Sequence, residues 1–284
     1  MAILKRFVAR YPLSTYFGLT FAISWGGFVA VVGPRGFPGT ATQFDALMPL
    51  VVSAMLAGPS VSGILLTGLL SGKTGLRQLF SRLLKWRVGL LWYVAAIAPA
   101  PVLAAAVLFS LSLPSPALTQ GTAAVLISGI VAGLTTVFEE VGWTGFAVPR
   151  LRTRYGAFVT AINVGVVWGT WHLLQTLWVG GAYAGELPLA LFVSLYFVSG
   201  VAQLTAYRVL MVWVYDRTDS LLVATLMHGS LTASTIFLFA PAATGARFLA
   251  YMWVLAAALW IVVAAVALAQ SGQVSRQPLG RRTA

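Results

Sequence analysis

Glu139, Glu140, His172 and His228 are the residues through which this chain could do chemistry, because each interrupts a long apolar run. An ionisable group inside such a run costs ~2.5 kcal/mol or more on insertion scales, and the usual compensation is mutual pairing in a water-filled cavity. A carboxylate beside an imidazole can share a proton and activate a water. A second imidazole can then donate to the oxyanion that forms when a carbonyl is attacked. Glu140, His172 and His228 would equally complete a catalytic zinc site with one open position, and composition does not choose between the two. Adjacent residues on a helix point about 100° apart, so Glu139 and Glu140 cannot both face one reacting atom. One is then the chemical residue and the other its support. With no cysteine in the chain, thiolate chemistry is excluded.

The elements that must position these groups are membrane helices. Of 284 residues, 59% are hydrophobic and 8% charged, against roughly a quarter charged in a soluble domain. The apolar runs are apolar on every face and several exceed the ~20 residues that cross a ~30 Å hydrocarbon core, which points to helices rather than a barrel. Runs near 13–33, 47–71, 88–113, 122–148, 158–180, 187–209, 220–240 and 247–269 predict an all-α polytopic protein of eight transmembrane helices. The first run follows Lys5, Arg6 and Arg10 as a signal peptide would, yet it is too long and reads as a retained helix. The sequence predicts a single transmembrane domain, 1–270, with its catalytic core at about 120–240, and a basic disordered cytoplasmic tail, 271–284.

The net charge of +12 would suggest nucleic acid in a soluble protein, but the basic residues sit in short segments between runs and act as topology signals. Neither a nucleic-acid partner nor any partner surface beyond the bilayer follows from them. One side carries Lys5, Arg6 and Arg10, the basic 72–87 loop, Arg150, Arg152 and Arg154, Arg208 with Arg217, and the tail arginines; the other carries only Arg35 and Arg247. Both termini are therefore expected to be cytoplasmic. Asp45, Glu186, Asp216 and Asp219 read as loop residues at the boundaries, Asp216 and Asp219 beside Arg217. The 72–87 segment has the spacing of an interfacial amphipathic helix without a catalytic role.

Depth tests whether the four ionisable residues can meet. Glu140 lies ten residues from Arg150 and His228 nine from Asp219, or ~15 and ~14 Å at ~1.5 Å per residue. His172 lies eighteen residues from Arg154, ~27 Å, and joins them only if its helix tilts or starts outside the hydrocarbon. Trp143 and Trp168 are candidates for substrate contact, with plain packing of Trp143, Trp168 and Trp171 as the simpler account.

These residues resemble the CPBP family of intramembrane proteases, which includes the type II CAAX prenyl endopeptidases and was formerly called the abortive-infection family. The family motif E-E-x-x-x-R is similar to Glu139-Glu140-Val141-Gly142-Trp143-Thr144, F-x-x-x-H to Trp168-Gly169-Thr170-Trp171-His172, and H-x-x-x-N or D to His228-Gly229-Ser230-Leu231-Thr232. The resemblance implies an eight-helix core with a cytosol-facing cavity. It implies that Glu140 and His172 activate water, that Glu139 is the secondary carboxylate, and that His228 and Thr232 stabilise the oxyanion. The substrate would be a peptide or membrane-protein segment, prenylated or not, and no cofactor would be required, with zinc as the open alternative. Localisation would be the cell membrane of a bacterium or archaeon. Thr144 stands where the motif has arginine, Trp168 where it has phenylalanine and Thr232 where it has asparagine. The first and last favour a rival, a catalytically impaired scaffold or immunity-type protein; a proton-coupled transporter using Glu140 and His172 is a second rival.

Overall fold

A computed structural model describes residues 2–115, 122–178 and 182–269; the expected basic tail, 271–284, lies outside them. Every described regular element is a helix. In chain order these are α1 (Ala2–Arg10), α2 (Pro12–Val32), α3 (Ala41–Leu83), α4 (Leu90–Ile97), α5 (Pro99–Ser110), α6 (Thr122–Gly142) and α7 (Val148–Arg152). They are followed by α8 (Ala157–Trp171), α9 (Leu173–Trp178), α10 (Leu189–Thr218), α11 (Leu221–Thr232) and α12 (Gly245–Ala269). A π-helical turn, Trp143–Ala147, joins α6 to α7, and another, Ala233–Leu238, continues α11.

Among the described residues, seven helical stretches are long and apolar enough to cross a membrane, and the chain is an integral membrane protein. The seventh of the eight expected spans is the exception: Leu221–Ile236 is a shorter apolar helix. Leu221, Val223, Ala224 and Met227 on it are buried among other helices, so the bundle rather than lipid surrounds much of its length. α3 is much longer than a bilayer needs. Gly72, at φ 60° and ψ −155°, breaks it at the point where the apolar run gives way to basic residues. The left-handed φ suits a residue without Cβ, and beyond this kink a distinct helical segment runs on to Leu83, within the stretch 72–87 where an amphipathic helix is expected.

Local chemistry sets the helix ends. Thr40 and Gln43 form a reciprocal capping box at the start of α3. Asp219, in the left-handed region, closes α10, and the Ser220 hydroxyl accepts from Val223 N–H to open α11. That two-residue turn fixes how far into the bundle both helices carry their polar residues.

The basic segments gather at one end. Arg152, fully buried, forms an ion pair with Asp216 at 2.7 Å, Lys85 reaches Asp219 at 3.7 Å, and Ser220 donates to Lys85 O. Asp216 is thus no simple boundary residue beside Arg217: it anchors α7 to α10.

α11 meets α6 backbone to backbone. A Cβ on Gly229 would sit 2.8 Å from Gly133 O, and one on Gly133 would sit 3.1 Å from Gly229 O. Neither carbonyl belongs to a side chain that could rotate away, so the helices must separate to admit a methyl group. Gly229→Ala should therefore destabilise the protein by about 1–3 kcal/mol, read as a lowered melting temperature in detergent. Unchanged melting would show that the contact is not a constraint.

Candidate active site

Glu140 is completely buried and fully engaged. Arg208 grips it with both terminal guanidinium nitrogens, Nη1 to Oε2 at 2.8 Å and Nη2 to Oε1 at 2.9 Å. Its Oε2 also accepts from the Thr144 hydroxyl, and its Oε1 from His228 Nδ1–H at 2.9 Å. Arg208 donates to Thr144 Oγ1 as well, at 3.1 Å. A bidentate arginine is the strongest neutralisation a buried carboxylate can have.

Arg208 corrects the sequence reading twice. Its exposure is 0%, so it is no cytoplasmic topology residue. It also supplies, from α10, a cation for the carboxylate whose motif arginine is Thr144 here. A signal for it existed: seven apolar residues, Val209 to Tyr215, separate Arg208 from Asp216. Like the glutamates, Arg208 is an ionisable group within an apolar run.

Glu139 has a different environment. Its Oε2 accepts from Trp168 Nε1–H at 2.8 Å, and its side chain keeps some exposure, 7% for the residue. Phenylalanine, the motif residue at position 168, has no N–H to offer. Trp168 also stacks beneath the Arg208 guanidinium at 4.1 Å and meets the His228 ring edge to face at 4.8 Å.

His172 sits at the break between α8 and α9, half-buried, with Nδ1 2.9 Å from Trp168 O. A carbonyl only accepts, so Nδ1 carries the proton and Nε2 keeps its lone pair. The bond turns the ring back toward the N-terminal end of its own helix, the direction that lessens the depth mismatch. Its ring packs against Trp168 and Trp171 at 5.9 and 4.8 Å.

The structure therefore brings Glu139, Glu140, His172 and His228 around one tryptophan, in two sets. Glu140 belongs with Arg208, Thr144 and His228; Glu139 belongs with Trp168 and His172. Thr232, half-buried, follows His228 by one turn on α11, and Ser230 is committed to Ile97 O at 2.6 Å. Trp143 is sealed among Tyr16, Phe17 and Trp171, and Trp168 is 1% exposed. Neither of these expected substrate contacts faces open space.

The zinc alternative fits these residues poorly. Glu140, its carboxylate ligand, has both oxygens occupied by an arginine that would repel a dication. Among the described residues, no three His, Asp or Glu side chains are grouped so as to hold a metal.

Comparison with known proteins agrees with the motif resemblance. Residues 118–234 match the family model described as type II CAAX prenyl endopeptidase Rce1-like, a stretch that contains every residue of both sets. CAAX prenyl protease 2 of Methanococcus maripaludis is 37% identical over 54 residues, 19% of this chain and 20% of that protein. The chain thus matches about a fifth of that curated relative's length.

Proposed function

We propose that this chain, which belongs through residues 118–234 to the CAAX protease family, is an intramembrane endopeptidase in which Glu139 and His172 activate the hydrolytic water. The observation that carries this assignment is the difference in engagement between the two glutamates. Glu140 spends both oxygens on Arg208, Thr144 and His228, whereas Glu139 gives one to Trp168 and retains acceptor capacity. A water held between Glu139 and His172 Nε2 would lose its proton to one of them as it attacks the peptide carbonyl.

His228 is the electrophilic partner. Its Nδ1–H is committed to Glu140, so the imidazolium form directs Nε2–H at the developing oxyanion, with the Thr232 hydroxyl one turn away as second donor. Glu140 and Arg208 are the clamp that orients His228, and Thr144 belongs to that clamp. With the cation restored by Arg208, Thr144 no longer favours a catalytically impaired scaffold. The substrate class is a peptide or membrane-protein segment, prenylated or not, approached from the end where the basic residues gather, which we assign to the cytosol. The host membrane is the cell membrane of a bacterium or archaeon.

The test is cleavage by the purified full chain in detergent, against prenylated and unprenylated C-terminal peptides, with and without a strong chelator. Cleavage lost in His172→Gln and indifferent to chelator is expected. If wild type cuts no peptide that His172→Gln spares, the scaffold alternative stands; loss of cutting in chelator would reinstate a metal.

A further inference from the structure

Part of the charge at the basic end of the bundle is met by neighbouring groups. Lys85 pairs with Asp219 and Arg152 with Asp216, while Arg82 donates to Tyr215 Oη and Gly145 O. Where α1 turns into α2, however, a cavity of about 190 Å³ collects Arg10, Arg150 and Arg154 with the hydroxyl residues Ser14 and Thr153. No carboxylate is among the described residues that line it. Three guanidinium groups around one space repel each other unless an anion lies between them.

The cavity also offers donors to an oxyanion. Arg150 is held in place by a bond from Nη1 to Phe146 O at 3.1 Å and by stacking at 3.6 Å over the Phe146 ring, which leaves its other N–H groups to donate. The first turn of α2 opens on the same space and Tyr11 gives it no side-chain cap; Pro12 has no N–H and Thr15 N–H donates to Tyr11 O, which leaves the Leu13 and Ser14 amides without a capping side chain. The neighbouring α1 carries Lys5, Arg6 and Arg10 and exposes Phe7 to 55%, as an interfacial helix lying on a bilayer does.

We propose that Arg10, Arg150 and Arg154, with Ser14 and Thr153, bind an anionic phosphate group at the membrane surface. Two sources supply that chemistry, the headgroup of an acidic phospholipid and free phosphate, and the position beside α1 suits the first. Basic recesses between membrane helices recognise lipid phosphates in this way.

The test uses the full chain, delipidated in neutral detergent, with phosphatidylglycerol and phosphatidylcholine titrated by native mass spectrometry and inorganic phosphate by calorimetry. Phosphatidylglycerol should be retained in preference to phosphatidylcholine. Arg10→Gln and Arg154→Gln should each weaken it about fivefold, and together about 30-fold. Thr153→Glu, which places a carboxylate in the cavity, should weaken it at least as much as either. Arg6→Gln, on α1 but outside the cavity, should change it by less than about twofold. Phosphate binding with the same pattern of variant effects would assign the site to the free anion, and its absence to the lipid; both support a phosphate site. The proposal is overturned if neither ligand binds, or if Arg6→Gln weakens binding as much as Arg10→Gln, which would mean diffuse surface charge.

Discussion

Arg208→Met should destabilise the protein by about 3–5 kcal/mol, because it strips the cation from a carboxylate with no route to solvent. Methionine nearly conserves the volume beneath Trp168, so the loss reports charge and hydrogen bonds rather than a cavity. Two double variants separate this from generic damage. In Glu140→Gln/Arg208→Met no unpaired charge remains, and it should be clearly more stable than Arg208→Met alone. In Thr144→Arg/Arg208→Met the cation returns on the π-helical turn that continues α6, at a position whose side chain already reaches Glu140 Oε2, and it should recover at least half of the loss. Unfolding in detergent by heat or chaotrope provides the measurement. If Arg208→Met melts like wild type, or the neutral double variant is no better than the single, the clamp is not a stability element.

The swap exposes what a linear reading can and cannot see. The apolar runs were legible because the bilayer imposes length and hydrophobicity on each segment independently of its neighbours. The break at Gly72 falls where the run turns basic, and the shared level of Glu140 and His228 follows from counting residues along two helices. Arg208 was not placed, because positive residues near the end of a run are ordinarily loop residues, and only the contact with α6 reveals that this one points inward. Asp216 escaped for the same reason: its true partner, Arg152, is distant in sequence, while Arg217 is adjacent. The π-helical turn after Gly142 is equally invisible, since no residue type marks it. Helix phase showed that the two glutamates face different ways but not which neighbour each would meet. That depended on α8, α10 and α11 arriving around α6.

The division of labour between the glutamates gives the largest expected kinetic effect. In Glu139→Gln the amide oxygen can still accept from Trp168 Nε1–H, and no charge is left unpaired, so the fold should survive with a melting temperature near wild type. What the amide cannot do is take a proton from water. Peptide cleavage at saturating substrate should therefore fall by about 10²–10⁴, while KM changes little, since nothing that holds the substrate is removed. His172→Gln should fall by a similar factor, and the double variant little further, because two groups that act on one water fail as a unit. Glu140→Gln should behave differently: it leaves the Arg208 guanidinium buried without its counter-charge and should lose about 3–5 kcal/mol of stability, with activity lost as the protein unfolds. Stability and rate measured on the same preparations decide the assignment. A stable, inactive Glu140→Gln beside an active Glu139→Gln would return the chemistry to Glu140, the role its motif position first suggested, and would make Glu139 the support.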